Sequence, residues 1–436
     1  MASADTIYAL ATGTGVAAIA VVRLSGSEAL AVAQSMAGRE LSPRMAARAR
    51  LKGLDGIMLD DALVIAFPAP RSFTGEDLCE FHLHGGRAVV EAVLQDLSAR
   101  GLRAAEAGEF TRRAFLNGKI DLVEVEGLGD LLAARTQGQR RQALRQLEGE
   151  ASRVFEAWRH RLVRVLAYIE AMIDFSDEAD VAGEALSPLL AEIAALRGEI
   201  ISALSRGRQG ERMRDGARVV LAGAPNAGKS SLFNALVKRD AAMVSDIPGT
   251  TRDVIEALLD MDGMPVVLAD TAGLRAETGD VLEAEGMRRS LARLEEADLV
   301  LWVGAVDADP SPERLDSEPI YIWNKADLAP APTDGRDWIP VSARSGEGLA
   351  LLERALADRL QVGVSEEDVL ITRERHRQAL ERTGEWLDTA LGADAARSEL
   401  LAEALRQAAV SLGRLTGRVD VEDLLDVIFR DFCIGK

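Results

Sequence analysis

Gly223-Ala224-Pro225-Asn226-Ala227-Gly228-Lys229-Ser230 follows directly on the β-rich run Arg218–Ala222 and opens a stretch with helical spacing. A strand that turns through glycines into a helix aims a row of backbone N–H groups at one point, and the helix N-terminus adds its positive end. That arrangement suits a triphosphate. In it Lys229 neutralises the terminal phosphates and the Ser230 hydroxyl ligates Mg2+, with Asn226, Ala227, Gly228 and Ser231 forming the rest of the cradle. A parallel α/β sheet is predicted around it, with further strands at Pro265–Ala269, Leu299–Val303, Pro319–Trp323 and Ile339–Val341.

Each neighbouring motif sits where such a sheet places chemistry. Asp270-Thr271-Ala272-Gly273 ends a strand, so the carboxylate can hold Mg2+ through water while the Gly273 N–H senses the terminal phosphate. Upstream, Gly249-Thr250-Thr251-Arg252-Asp253 supplies hydroxyls in a glycine-hinged loop, with Thr251 expected to join Ser230 on Mg2+ and Ser245, Asp246, Ile247 and Pro248 before it expected to line the nucleotide. After the Pro319–Trp323 strand comes Asn324-Lys325-Ala326-Asp327. The Asp327 carboxylate accepts from the ring N–H and exocyclic amine of guanine; adenine would present a lone pair there and leave the acceptor unpaired. Ser342-Ala343-Arg344 closes the base pocket through its backbone. These motifs in this order predict GTP as the ligand.

Hydrolysis needs an oriented water and positive charge near the leaving oxygen. The residue after Asp-x-x-Gly, which is Gln in many GTPases, is Leu274 and has no polar atom to offer. The acidic stretch Glu277–Glu285 follows, and Glu283 is expected to polarise the water, ahead of Glu277, Asp280 and Glu285. No arginine finger is evident. A monovalent cation can replace one: the amide oxygen of Asn226 with oxygens of Ser245, Ile247 and Thr250 forms an all-oxygen set that suits K+. The expected catalytic residues are therefore Glu283, Asn226 and Lys229.

Farther out the pattern changes. The chain has 436 residues, enough for several domains. Residues 1–118 read as a small α+β domain with strands Ala17–Leu24, Ala62–Phe67 and Leu78–Leu83 and a helix from Arg87 to Arg100. Residues 119–215 are helical, as in Gly127–Arg135 and Ser187–Arg206; residues 216–362 form the α/β domain; helical spacing returns over 363–436. Leu400–Leu412 and Val421–Phe432 carry apolar faces that the earlier helices are expected to cover. The α/β domain is thus inserted into a helical bundle, as close-lying domain ends permit.

Composition removes other classes. The net charge of -19 disfavours a broad nucleic-acid-binding face and leaves only local patches, such as the helical run carrying Arg135, Arg140, Arg141 and Arg145. A run of this kind is ordinarily a solvated face. Cys79 and Cys433 are the only cysteines and lie far apart, so a reducing cytoplasm is expected and neither a disulfide framework nor a zinc site is suggested. Val16–Val22 is too short to span a bilayer and is expected to be a buried strand, with no membrane association. His82 and His84 share a strand face but lack a third ligand, so they are expected to be structural.

Residues 223–231, 246–253 (Asp-Ile-Pro-Gly-Thr-Thr-Arg-Asp), 270–275 (Asp-Thr-Ala-Gly-Leu-Arg) and the terminal Phe-Cys-Ile-Gly-Lys (432–436) resemble the MnmE (TrmE) family of tRNA modification GTPases. The first domain adds Ser72-Phe73-Thr74-Gly75-Glu76-Asp77, His84-Gly85-Gly86 and the segment from Gly108 to Lys119. The resemblance spans the chain and departs from the family pattern at Glu124-Val125-Glu126-Gly127-Leu128, where the family's helix start is richer in Ala and Gln.

This resemblance implies a tetrahydrofolate-binding-like first domain that dimerises, a helical bundle, and an inserted Ras-like P-loop GTPase domain. It implies a homodimer that joins the flavin-dependent partner MnmG (GidA), in a heterotetramer, to put a carboxymethylaminomethyl or aminomethyl group on C5 of the wobble uridine of certain tRNAs. Family positions place a one-carbon tetrahydrofolate, in its 5-formyl or methylene form, against Arg23, Glu80, Lys119 and Lys436, and make Cys433 a candidate for modification chemistry. K+ contacts fall on Asn226, Ser245, Ile247 and Thr250, with Glu283 at the catalytic position. The rival function class is a GTP-switched binding protein that shares the nucleotide motifs without RNA chemistry.

Overall fold

A computed structural model describes residues 5–174, 182–239, 256–270, 297–308, 318–360, 369–393 and 398–419, together with residues 425, 428, 429, 432 and 435. Contacts divide the chain into two units: Met1–Gly129 with Gln146–Ala182 and Gly392–Lys436, and Asp130–Arg145 with Gly183–Leu391.

In the first unit a six-stranded sheet has the order β3-β4-β5-β2-β1-β6. Its strands are β1 (Ile7–Leu10), β2 (Ile19–Ser25), β3 (Ala47–Lys52), β4 (Met58–Phe67), β5 (Leu78–His84) and β6 (Arg103–Ala104). Helices α1 (Ala29–Ala37) and α2 (Arg87–Ala99) cover one face, where Leu24, Met36, Val64, Phe81 and Leu97 are fully buried. Alternation along β2 and β5 sets the register that opposes Arg23 to Glu80 and Ile19 to His84 on the other face. The Val16–Val22 expectation is corrected here: Val16 is 91% and Ile19 57% exposed, and the strand begins only at Ile19. On that face Phe110 packs with Ile7 and Ala9 while Ile19 stays exposed, so an apolar run there alternates between core and surface.

Beyond α3 (Glu109–Leu116), α4 (Leu122–Ala133) starts with a reciprocal cap: the Glu124 N–H donates to Asp121 Oδ1 at 2.9 Å and the Asp121 N–H to Glu124 Oε2 at 2.7 Å. Burial raises the pKa of both carboxyls. Gly127 lets α4 approach the Leu147 backbone, where a Cβ would lie 2.7 Å from the Leu147 nitrogen. The long α6 (Glu150–Asp174) packs against α11 (Ser398–Thr416), burying Phe155, Trp158, Leu162 and Ile169 with Leu401, Leu405 and Leu412. The expectation that earlier helices cover the C-terminal ones is met by this pair. Leu425 and Phe429 pack with Leu122 and Val125.

The second unit contains α5 (Gln137–Leu147), whose last two residues fall in the first unit, and α7 (Ala182–Asp215), followed by a six-stranded sheet of order β12-β11-β10-β7-β9-β8. The strands are β7 (Ala217–Ala222), β8 (Glu256–Met261), β9 (Met264–Asp270), β10 (Leu299–Ala305), β11 (Ile320–Asn324) and β12 (Trp338–Pro340). All pair in parallel except the edge strand β8, a hairpin partner of β9. Helices α8 (Lys229–Arg239) and α9 (Leu349–Leu360) bury Leu232, Leu236, Leu352 and Leu356 against Leu221, Leu268, Leu301 and Ile322. Each such side chain contributes roughly 1.5–3 kcal/mol on leaving water. Helix α10 (Glu374–Leu391) completes the unit.

Candidate functional site

Parallel strands leave their loops together at the carboxyl edge, and the nucleotide motifs among the described residues lie at that edge. Residues 223–228 link β7 to α8; Asp270 ends β9, Asn324 ends β11, and Ser342–Arg344 follow β12. Asn226 takes a left-handed φ of 66°, which asparagine tolerates better than most residues. Gly228 has φ 87°, and a Cβ there would stand 2.3 Å from the Asn324 amide nitrogen.

Buried Lys229 spans the loop, its ammonium donating to the carbonyls of Gly223 at 2.8 Å and Ala224 at 2.9 Å. Ser230 Oγ donates to Asp270 Oδ2 at 2.7 Å, bringing together a hydroxyl and a buried carboxylate from separate motifs. This oxygen pair fits a hard, octahedral cation such as Mg2+.

Buried Asn324 ties the phosphate loop to the base loop. Its Nδ2 donates to Ala227 O at 2.9 Å, and its Oδ1 accepts from the Ala343 N–H at 3.2 Å. Lys325 crosses over the phosphate loop, donating to Asn226 O at 2.9 Å and pairing with Asp307 at 2.6 Å. Ala326 donates to Val341 O at 3.1 Å, which leaves the following Asp327 carboxylate exposed at the rim. Ser342 is fully buried and accepts from the Ser345 N–H at 3.2 Å, holding the turn that carries Ala343 and Arg344. Asp307 was missed from sequence, although an acid just past a strand's carboxyl end, beside the base-binding strand, is a usable signal.

Ser231 opens α8 beside Ser230. The remaining expected nucleotide and cation residues, Ser245, Asp246, Ile247, Pro248, Gly249, Thr250, Thr251, Thr271, Ala272, Gly273 and Glu283, lie outside the described residues.

In the first unit the signature segments 72–77 and 108–119 are joined to each other. The Arg23 guanidinium donates to Glu80 Oε1 at 2.8 Å and lies 5.9 Å and 5.8 Å from the ring centres of Phe73 and Phe110. Ser25 bonds Thr74 and Glu76, and buried Arg113 pairs with Glu76, Glu109 and Asp5, joining residues 72–77 to α3. Lys119 Nζ donates to Pro70 O at 3.0 Å. Gly435, with φ 101°, packs onto β1, where a Cβ would lie 2.2 Å from Leu10 O. Cys433 and Lys436 lie outside the described residues. His84 Nδ1 sits 2.7 Å from buried Asp60 and His82 Nε2 3.3 Å from Glu80; no metal-holding group of three or more His, Cys, Asp or Glu occurs among the described residues. Burial pushes the Cys79 thiol up to about 12, making it inert near neutrality. No helix among the described residues is long and apolar enough to cross a membrane.

The model for the MnmE helical domain matches residues 122–433, and that for the GTP-binding protein TrmE N-terminus matches residues 6–119. The tRNA modification GTPase MnmE of Parvibaculum lavamentivorans (strain DS-1 / DSM 13023 / NCIMB 13966) is 53% identical over 99% of this chain and 100% of its own. That of Methylobacterium sp. (strain 4-46) is 50% identical over 99% and 100% respectively. Among solved structures, the G domain of the T. maritima FeoB iron transporter aligns with a TM-score of 0.26 and 27% identity, over 33% of this chain and 98% of that one. With family models covering both ends and half-identical relatives matching along almost its whole length, the chain is a GTP hydrolase and belongs to the MnmE family of tRNA modification GTPases.

Proposed function

We propose that the chain is a K+-activated GTPase that acts with a flavin-dependent partner, MnmG, to place a carboxymethylaminomethyl or aminomethyl group on C5 of the wobble uridine of certain tRNAs. The observation that carries this reading is the 2.7 Å contact of Ser230 with Asp270 beside Lys229, at the sheet edge that also holds Asn324. In this proposal Lys229 leaves the loop carbonyls for the β- and γ-phosphates, while Ser230, Thr251 and Asp270 hold Mg2+. Mg2+ held there would supply positive charge to offset the charge that develops on the phosphate oxygens. Asn226, Ser245, Ile247 and Thr250 hold K+, which supplies positive charge near the leaving oxygen. Glu283 orients the attacking water and takes up its proton.

The first domain is proposed to bind a one-carbon tetrahydrofolate. Glu80 suits the donor edge of a pterin, the rings of Phe73 and Phe110 flank Arg23, and the cations of Arg23, Lys119 and Lys436 suit its carboxylates. A cytoplasmic homodimer assembling with MnmG completes the reading, with Cys433 a candidate for the modification chemistry.

GTP turnover in KCl and in NaCl tests the cation. Wild type is expected to be at least about tenfold faster in K+, as a charge placed at the leaving oxygen implies. Asn226→Ala should remove most of that difference, and Glu283→Ala should lower the rate by about 10²-fold in either salt. Equal wild-type rates in the two salts would remove K+ from the mechanism.

A further inference from the structure

Helix α5 differs from its surroundings in charge. Between Asp130 and Glu148 the chain carries Arg135, Arg140, Arg141 and Arg145 and no carboxylate, within a protein of net charge -19. Packing adds more. Gln142 Nε2 donates to Gly210 O at 3.3 Å and Gln139 Nε2 to Arg214 O at 2.8 Å, so α5 lies along the last turns of α7, which bear exposed Arg206 and Arg208. Arg135, Arg140 and Arg141 are exposed as well. The nearby acids are engaged: Asp130 pairs with Arg214 and Arg373, and Glu211 with Arg377.

We infer that the surface made by α5 and the end of α7 is where the chain grips the phosphate backbone of its RNA substrate. This rests on the tRNA reading above. RNA is the favoured occupant because exposed guanidinium groups on neighbouring helices match a row of phosphates, and Asp130 and Glu211 beside them are paired with arginines.

The surface also touches the nucleotide sheet within the same unit. Thr136, just before α5, donates to Gly263 O at 2.7 Å in a buried contact, and Gly263 is the turn of the β8–β9 hairpin whose strands run from residue 256 and to Asp270. RNA held on α5 is thereby one hydrogen bond from the hairpin that flanks the nucleotide motifs.

Fluorescence anisotropy of a labelled, unmodified tRNA transcript with the full chain tests this across a salt series. R140Q/R141Q and R206Q/R208Q are each expected to weaken binding about tenfold and to lower the slope of log Kd against log salt by about one for each phosphate no longer gripped. GDP affinity, measured alongside, should stay at the wild-type value and shows that the unit is folded. Unchanged Kd and slope in both variants overturn the surface. So does unchanged RNA binding accompanied by loss of association with a protein partner. Wobble-uridine nucleosides measured in cells report on the tRNA reading separately: their absence in both wild type and null would sink that reading, whereas intact modification with unaffected binding sinks only the surface.

Discussion

Asp327 stands exposed at the rim because Ala326 is pinned to Val341 and Asn324 is buried among loop carbonyls. Its carboxylate is free to meet a base edge, and Asp327→Asn exchanges an acceptor for a donor at that edge. GDP affinity is expected to fall by about 10²-fold, with xanthosine diphosphate less affected or improved, as calorimetry would show. Unaltered GDP affinity would move the base elsewhere. In the first unit, the hydrogen bond from Arg103 holds the Asp5 carboxyl below its ordinary value. Burial alone would raise Glu109, but hydrogen bonds from Arg103, Glu106 and Arg113 outweigh it and hold that carboxyl low too. As pH falls the unfolded chain takes up these protons first, so their stabilisation is complete above the ordinary carboxylate range and is lost as pH drops through it. Denaturant midpoints followed from pH 6 to about 3 should decline, and less steeply in Arg113→Gln. Asp121 and Glu124, raised by burial, shift in the opposite sense and make that comparison necessary. Legibility at this scale follows motif spacing. Lys229, Ser230, Asp270 and Asn324 were readable because phosphate and base chemistry fix their types and order, whereas Asp307 emerged only once β10 and β11 were seen side by side.

Elements were legible wherever the period was strong. The strands read at Arg218–Ala222, Pro265–Ala269 and Leu299–Val303 occur within two residues of their observed bounds, and the helix read at Arg87–Arg100 occurs as Arg87–Ala99. Of the edge strands, β12 was read at Ile339–Val341 and occurs as Trp338–Pro340, but β8 and β3 were not legible. Strand β8 alternates Ala257, Leu259 and Met261 inward with polar or half-exposed neighbours, and β3 does the same with arginines outward, so neither forms the continuous apolar run that marks a central strand. The start of α4 carries a signal of its own: Asp121 and Glu124 have the spacing of a capping box. Asp121→Ala is expected to cost about 1 kcal/mol, seen as a lowered denaturant midpoint at unchanged slope. The approach of α5 to the β8–β9 hairpin depends on Gly138, where a Cβ would lie 2.3 Å from Gly263 O and 2.9 Å from Met213 Sδ. Gly138→Ala should therefore destabilise the second unit by roughly 1–3 kcal/mol despite the better helix propensity of alanine; a stabilised variant would show that the packing there is slack.

At the scale of the molecule, sequence periodicity separated sheet from helix but did not reveal how the helices partition between the two units. Residues 130–145 and 183–215 cluster with the nucleotide sheet, while residues 146–182 and 392–436 cluster with the first domain. The partition depends on pairs such as Thr136 with Gly263 and Thr416 with Glu156, which sit far apart in sequence and have no local signature. The C-terminal motif was readable as a signature, and its anchoring has a steric cause in Gly435 against Leu10. The central claim is that GTP turnover on the inserted sheet is needed for tRNA modification. Nucleoside mass spectrometry on tRNA from cells lacking the chain, complemented with wild type or with Lys229→Ala, tests it most directly. The account predicts that modified wobble uridine returns with wild type and not with the variant; equal restoration by Lys229→Ala would contradict it.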